Sequence, residues 1–194
     1  MNTPSPVFVQ SLVPSPLGTL RLLAGPAGLA GVWFVEQQRH APDPERIAGW
    51  TRVSQHPVLD EARRQLDAYF NGRIERFDLP LDLTQGTPFQ RLVWQGLLDI
   101  PRGQTTSYLA LAQRIGRPAA VRAVGAAVGR NPLSIVVPCH RVLGSDGALT
   151  GYAGGLPRKR ALLALEAAAP ADRHQSPPDS SSMRPRPAAR TTAH

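Results

Sequence analysis

The sequence predicts an α+β protein in two parts, followed by a disordered tail. Three observations carry this. Short apolar stretches broken by turn residues fill the first 35 positions: VFVQSLV (7–13), TLRLLAG (19–25) and GLAGVWFV (28–35). From residue 56 onward the apolar residues recur with a helical period, and most of these segments open on a proline. After about residue 168 large apolar side chains almost vanish, and PADRHQSPPDSSSMRPRPAARTTAH cannot bury enough surface to offset its chain entropy. The parts are residues 1–85, 86–167 and 168–194.

The three apolar stretches read as strands, with SPLG (15–18) and GPAG (25–28) as the turns of a small antiparallel meander. Residues 36–55 are polar, lack a period and read mostly as loop. HPVLDEARRQLDAYFNG (56–72) is a helix. Pro57 starts it, Asp60 and Glu61 lie in its first turn, Asn71-Gly72 ends it, and Val58, Leu59, Ala62, Leu66, Tyr69 and Phe70 fall near one face. Residues 73–86 read as an extended connector. A second helix occupies 87–103, with Thr87 as N-cap, Pro88 at the first helical position and Gln90 completing a capping box. Helices over 106–116 and 117–132, joined by a tight Gly-Arg-Pro turn, suggest a helix-turn-helix. SIVV (134–137) reads as a short strand, 141–152 as a hairpin around Asp146-Gly147 and 156–168 as a last helix.

The net charge of +8 is uneven. Residues 86–167 hold ten Arg or Lys against three Asp or Glu, whereas residues 1–85 hold eight against nine. Basic charge concentrated in one segment is the footprint of a polyanion binder, although a solvated basic surface gives the same count. A single cysteine excludes an internal disulfide and a cysteine cluster for structural zinc. No metal and no cofactor are expected. The N-terminal stretch lacks a signal-peptide pattern and no run is long enough to span a membrane, so a soluble cytoplasmic protein without a membrane partner is expected.

The cysteine sits in IVVPCHRVLG (135–144). Free cysteines are mostly buried and inert. Here a proline precedes the thiol, and His140 and Arg141 follow it, groups that favour a reactive thiolate. An extended backbone would turn His140 away from the sulfur, so contact between them would run through water.

PCHRV (138–142) resembles the active-site signature of O6-alkylguanine-DNA alkyltransferases, the methylated-DNA–protein-cysteine methyltransferases. GTPFQRLVW (86–94), TTSYLALA (105–112), RAVGAAVGRNP (122–132), TGYAGG (150–155) and LLALE (162–166) resemble segments of that family in the same order. The resemblance is strong over 86–167, loose over 1–85 and absent after 168. It implies a ribonuclease-H-like supporting domain at 1–85 and a winged-helix-like, DNA-binding and alkyl-acceptor domain at 86–167.

It further implies that Cys139 accepts the alkyl group, that His140 takes the thiol proton through water, and that Glu166 orients that histidine. Asn131 would brace the active-site loop, and the Tyr108 hydroxyl would serve the guanine leaving group. Arg122 would fill the gap left by an extruded nucleotide, on a thin helix face with Ala123, Gly125, Ala126 and Ala127 laid in the DNA minor groove. Tyr152, Ala153, Gly154 and Val142 would form the base pocket, with Ala153 standing where some relatives carry serine. The implied partner is double-stranded DNA carrying O6-alkylguanine, with O4-alkylthymine as a further candidate. The protein would act as a monomer, alone or in cooperation along DNA. The rival readings are a helix-turn-helix module that binds alkylated DNA without repairing it, whose relatives carry tryptophan at the cysteine position, and a turnover cysteine hydrolase.

Overall fold

The computed structural model describes residues 7–168; the rest of the expected tail lies outside the described residues. Strands β1 (Val9–Val13), β2 (Leu20–Gly25) and β3 (Gly28–Phe34) form the expected antiparallel meander. The loop expected at 36–55 holds a short helix α1 (Pro44–Ala48) and a two-residue strand β4 (Thr51–Arg52), which pairs parallel to β1. The sheet order is β3-β2-β1-β4. Helix α2 (Pro57–Phe70) packs Leu59, Ala62, Leu66 and Tyr69 into the core that underlies this sheet, the i, i+3, i+7, i+10 spacing of one helical face.

The connector is held at two places. The Gln65 side-chain amide donates to the Asp78 carbonyl at 2.7 Å and accepts from the Asp78 N–H at 2.8 Å. Leu29 N–H donates to Pro80 O at 2.7 Å, and Asp82 N–H donates back to Leu29 O at 2.8 Å. The latter pairing needs a glycine at 28, where φ is +139° and a Cβ would fall 2.2 Å from the Pro80 carbonyl oxygen.

Helix α3 (Pro88–Leu98) begins with the expected capping box, Thr87 and Gln90 each bonding the other's backbone N–H. The two-residue strand β5 (Thr106–Ser107) leads into α4 (Tyr108–Arg114). The helix expected over 117–132 is split into a 3-10 turn at Pro118–Ala120 and α5 (Val121–Gly129). Trp94 of α3 donates its indole N–H to the Ala127 carbonyl of α5 at 2.9 Å.

Two expectations over the next segment fail. SIVV is not a strand. Its neighbour Leu133 makes a bridge to Val32, with Val32 N–H on Pro132 O at 2.8 Å and Ser134 N–H on Val32 O at 3.0 Å. Ile135 then takes φ +73°, a left-handed conformation in which no strand continues. The hairpin at 141–152 is also absent: β6 (Val142–Leu143) pairs parallel with β5, and the chain turns through Asp146-Gly147 without a return strand. Helix α6 (Leu156–Ala167) closes the described chain. Among the described residues no helix is long and apolar enough to cross a membrane.

Sheet and helices share one core, from Leu20, Leu22 and Leu66 through Val93 and Leu97 to Val124, Val137 and Leu162. Leu66 is 2% exposed at its centre. Leu66→Ala should lower the unfolding free energy by about 2–5 kcal/mol, seen as a lower urea midpoint with an unchanged slope.

Candidate active site

Cys139 opens a 3-10 turn, Cys139–Arg141, rather than lying on the extended backbone expected there. It is 4% exposed and lines an open cleft of about 120 Å³ with Tyr108, Gly125, Val128, Gly129, Gly151, Tyr152, Ala153, Arg39 and His40. The turn is built by consecutive short bonds: Val137 N–H on Leu133 O, Cys139 N–H on Val137 O and Arg141 N–H on Pro138 O. Asn131 braces it from within. Its Nδ2 donates to Val137 O at 2.8 Å, Leu133 O at 3.3 Å and Cys139 Sγ at 3.1 Å, and its Oδ1 accepts from Leu133 N–H at 3.0 Å. One buried amide thus satisfies three backbone groups and the sulfur.

Behind the thiol lies a buried ionic cluster. His140 is fully buried, and its Nε2 is 2.9 Å from Glu166 Oε1. Arg141 grips the same carboxylate with Nη2 on Oε1 at 2.7 Å and Nε on Oε2 at 2.8 Å, and its Nη1 donates to the Ile100 carbonyl. The Tyr69 hydroxyl, from α2, donates to Glu166 Oε1 at 2.6 Å. Burial works to raise the Glu166 carboxyl, but the bonds from His140, Arg141 and Tyr69 overcome it and hold the group well below the usual carboxylate range. A glutamate in the last turn of a helix opposes the helix dipole; here the donors offset that cost.

The thiol does not meet the expectation that its neighbours favour a thiolate in the free protein. Burial pushes the Cys139 thiol up, against the Asn131 bond and the Lys159 charge, which act to lower it. Arg141, the cation next in sequence but one, is committed to Glu166. Burial also pushes His140 down, outweighing the upward pull of Glu166. Among the described residues its Nδ1, which is buried, has no hydrogen-bond partner.

The cleft wall is held by Lys159, the one lysine in the sequence. Fully buried, it donates to the carbonyls of Val142 at 2.6 Å, Thr150 at 2.6 Å and Gly151 at 3.2 Å. Arg39 N–H bonds the Ala153 carbonyl at 2.8 Å, tying the loop after β3 to the same wall. Of the four residues expected to form the pocket, Tyr152 and Ala153 line it. Val142 instead lies in the core. Gly154 backs the wall, where a Cβ would fall 2.8 Å from the Tyr152 ring and 2.9 Å from the Phe34 ring. On α5, Arg122, Ala123 and Ala126 are exposed and Gly125 is half-buried, but Ala127, expected on the DNA face, is 2% exposed and packs inward beneath Trp94. Arg114, Arg117 and Arg130 are exposed around the same two helices. No acidic residue occurs between Asp99 and Asp146.

Sequence reasoning missed Arg39, His40, Gly151, Lys159 and Tyr69, and it counted Arg141 among the groups favouring the thiolate, whereas its guanidinium bonds Glu166. Lys159 carried one signal, a lone lysine among arginines. Gly151 lay inside the TGYAGG segment without being singled out, and Arg39, His40 and Tyr69 carried none, because only the fold brings them to the site. Among the described residues no group of three or more His, Cys, Asp or Glu is placed to hold a metal ion.

Two family models match this chain. The DNA binding domain of 6-O-methylguanine DNA methyltransferase matches residues 88–168, and the ribonuclease-like domain of the same protein matches residues 8–83. The chain belongs to the 6-O-methylguanine DNA methyltransferase family. A methylated-DNA–protein-cysteine methyltransferase of Methanosarcina barkeri is 46% identical over 155 residues, covering 80% of this chain and 94% of the relative. One from Mycobacterium tuberculosis is 47% identical over 167 residues, covering 82% and 93%. The crystal structure of a Mycobacterium tuberculosis O6-methylguanine methyltransferase superposes with a TM-score of 0.75 at 47% identity, covering 86% of this chain and 97% of that one. A Mycobacterium tuberculosis OGT crystallised in complex with DNA gives 0.70 at 45% identity, covering 82% and 92%.

The Glu166 carboxyl sits lower in the folded chain than in the unfolded one, so the folded state binds fewer protons there. Its contribution to stability is full above the unfolded value of about 4.3 and is lost as pH falls below it. Urea midpoints followed from pH 7 towards pH 3 should therefore fall more steeply for the parent than for Glu166→Gln.

Proposed function

We propose that this methyltransferase repairs alkylated DNA by moving the O6-alkyl group of guanine onto Cys139, irreversibly and once per molecule. One observation carries the assignment of the acceptor: the only cysteine lines the cleft, with Asn131 on its sulfur and the His140–Glu166 pair behind it. The carbon–oxygen bond at O6 breaks as a carbon–sulfur bond forms. The proton leaving sulfur passes by way of a water to His140, whose Nδ1 has no partner among the described residues, and guanine takes up one proton in return. Burial raises the Tyr108 phenol, which keeps it a proton donor beside the leaving group. The product is a thioether. It has no acyl carbonyl for water to attack, so the thiol is not regenerated.

A target base inside a duplex must be swung out to reach the cleft. The exposed small-residue face of α5 allows close approach to DNA, and Arg122 on it would occupy the space left behind. The surrounding arginines supply affinity through phosphate contacts without sequence preference. In this reading residues 86–167 carry acceptor and DNA contacts, residues 1–85 support them, and the protein works as a monomer in the cytoplasm. O4-alkylthymine is a second substrate to assay beside O6-alkylguanine.

Intact mass after incubation with methylated duplex tests the reading. The parent should gain one methyl, on Cys139, and saturate there. Cys139→Ala should keep DNA affinity and gain none. Binding with no mass gain in the parent would favour a recognition module, and repeated product release a hydrolase. Arg122→Ala should slow transfer from duplex by about tenfold or more, corresponding to ~1.4 kcal/mol lost from the extruded state. Single-turnover rates on duplex and single-stranded substrate check this, and an unchanged duplex rate would rule out the extrusion role.

A further inference from the structure

A proton relay from Cys139 to His140 and Glu166 needs no hydroxyl from the first part of the chain, yet one is present. Tyr69 stands in the last turn of α2, with Phe70 at 5.5 Å and Phe77 at 5.3 Å between ring centroids and the Arg102 guanidinium 5.3 Å from its own. A phenylalanine would satisfy all of that packing. Among the described residues the hydroxyl has one partner, Glu166 Oε1, at 2.6 Å. The same oxygen faces His140 Nε2 at 2.9 Å and Arg141 Nη2 at 2.7 Å, so three donors share one acceptor.

We propose that Tyr69 is a positioning residue for alkyl transfer: by sharing Glu166 Oε1 with His140, its hydroxyl limits how strongly the carboxylate draws on the imidazole. The proposal rests on the transfer reading above. A carboxylate that bonded His140 alone would favour the imidazolium and leave no base for the thiol proton. With burial already disfavouring the imidazolium, a carboxylate whose charge is divided among Tyr69 and Arg141 adds less pull toward it while still fixing the ring's orientation. The phenol suits the task because burial, and then the charge of Glu166, push it far above its ordinary range and keep it a donor.

The charged and titratable groups around His140 come from each element packed there. Tyr69 comes from α2, with Arg102 above its ring. Cys139 and Arg141 belong to the acceptor turn, and Glu166 and Lys159 to α6. Tyr152 of the cleft wall stands edge-on at 6.5 Å. Tyr69 alone among them is contributed by the first 85 residues.

The test uses the full chain carrying Tyr69→Phe. NMR titration of His140 in DNA-free protein should show its midpoint raised by about one pH unit, the scale of one lost hydrogen bond to a charged acceptor. The acid limb of the transfer rate against pH should move up with it. Site-specific 3-fluorotyrosine at position 69, a stronger donor, should move both the other way; it also keeps the test open if the phenylalanine variant does not fold. A merely structural hydroxyl would lower the urea midpoint and leave the His140 titration in place, and that result overturns the proposal. The parent distinguishes the two levels. If the parent takes one methyl but neither substitution moves the His140 midpoint, the role of Tyr69 fails and transfer stands. If the parent takes no methyl, the transfer reading itself fails.

Discussion

A carboxylate shut away from water is tolerated only when its charge is met by donors, and Glu166 is met by Tyr69, His140 and Arg141. Those donors come from a helix on the first sheet and from the turn that carries the thiol, while Glu166 itself comes from the last helix. The carboxylate therefore serves as the junction at which three distant segments are fixed relative to one another. Removing any donor would leave part of a buried charge unmatched, a larger penalty than losing an exposed ion pair. The bond that orients the histidine is thus part of the tertiary structure.

The thiol is kept by a second constraint of a different kind. The backbone before it is forced through a left-handed isoleucine at Ile135, a costly conformation for a β-branched residue. It is stabilised by the pairing of Val32 with Leu133 on one side and by the Asn131 amide on the other. The result is a tight turn that presents sulfur at the floor of a cleft while burying the histidine beside it. Burial also raises the thiol, which makes its sulfur less open to chance electrophiles. In the proposed transfer, where the sulfur reacts once, that restraint is useful.

What the sequence disclosed followed the range of each signal. The Thr87–Gln90 box, the prolines that open α2, α3 and α6, and the alternating strands are set by neighbours a few residues apart, and they were legible. SIVV has strand composition, but its conformation is imposed by β3 and Asn131, so propensity misled. Asn131, His140 and Glu166 were named through the ordered motifs. Tyr69 read correctly as a helix face, but its hydroxyl partner is 97 residues away. Val142 and Gly154 sit beside pocket residues in sequence, and the chain turns them to the core and to Phe34. Adjacency in a motif is not adjacency in a cavity.

The ammonium that clasps the Val142, Thr150 and Gly151 carbonyls belongs to the sole lysine of the sequence and is sealed from solvent. Acylating reagents that seek side-chain amines accordingly find no ready target while that clasp is shut. Their slow uptake at this one position would clock how often the cleft wall lifts away, giving a chemical gauge of breathing at the mouth of the cleft.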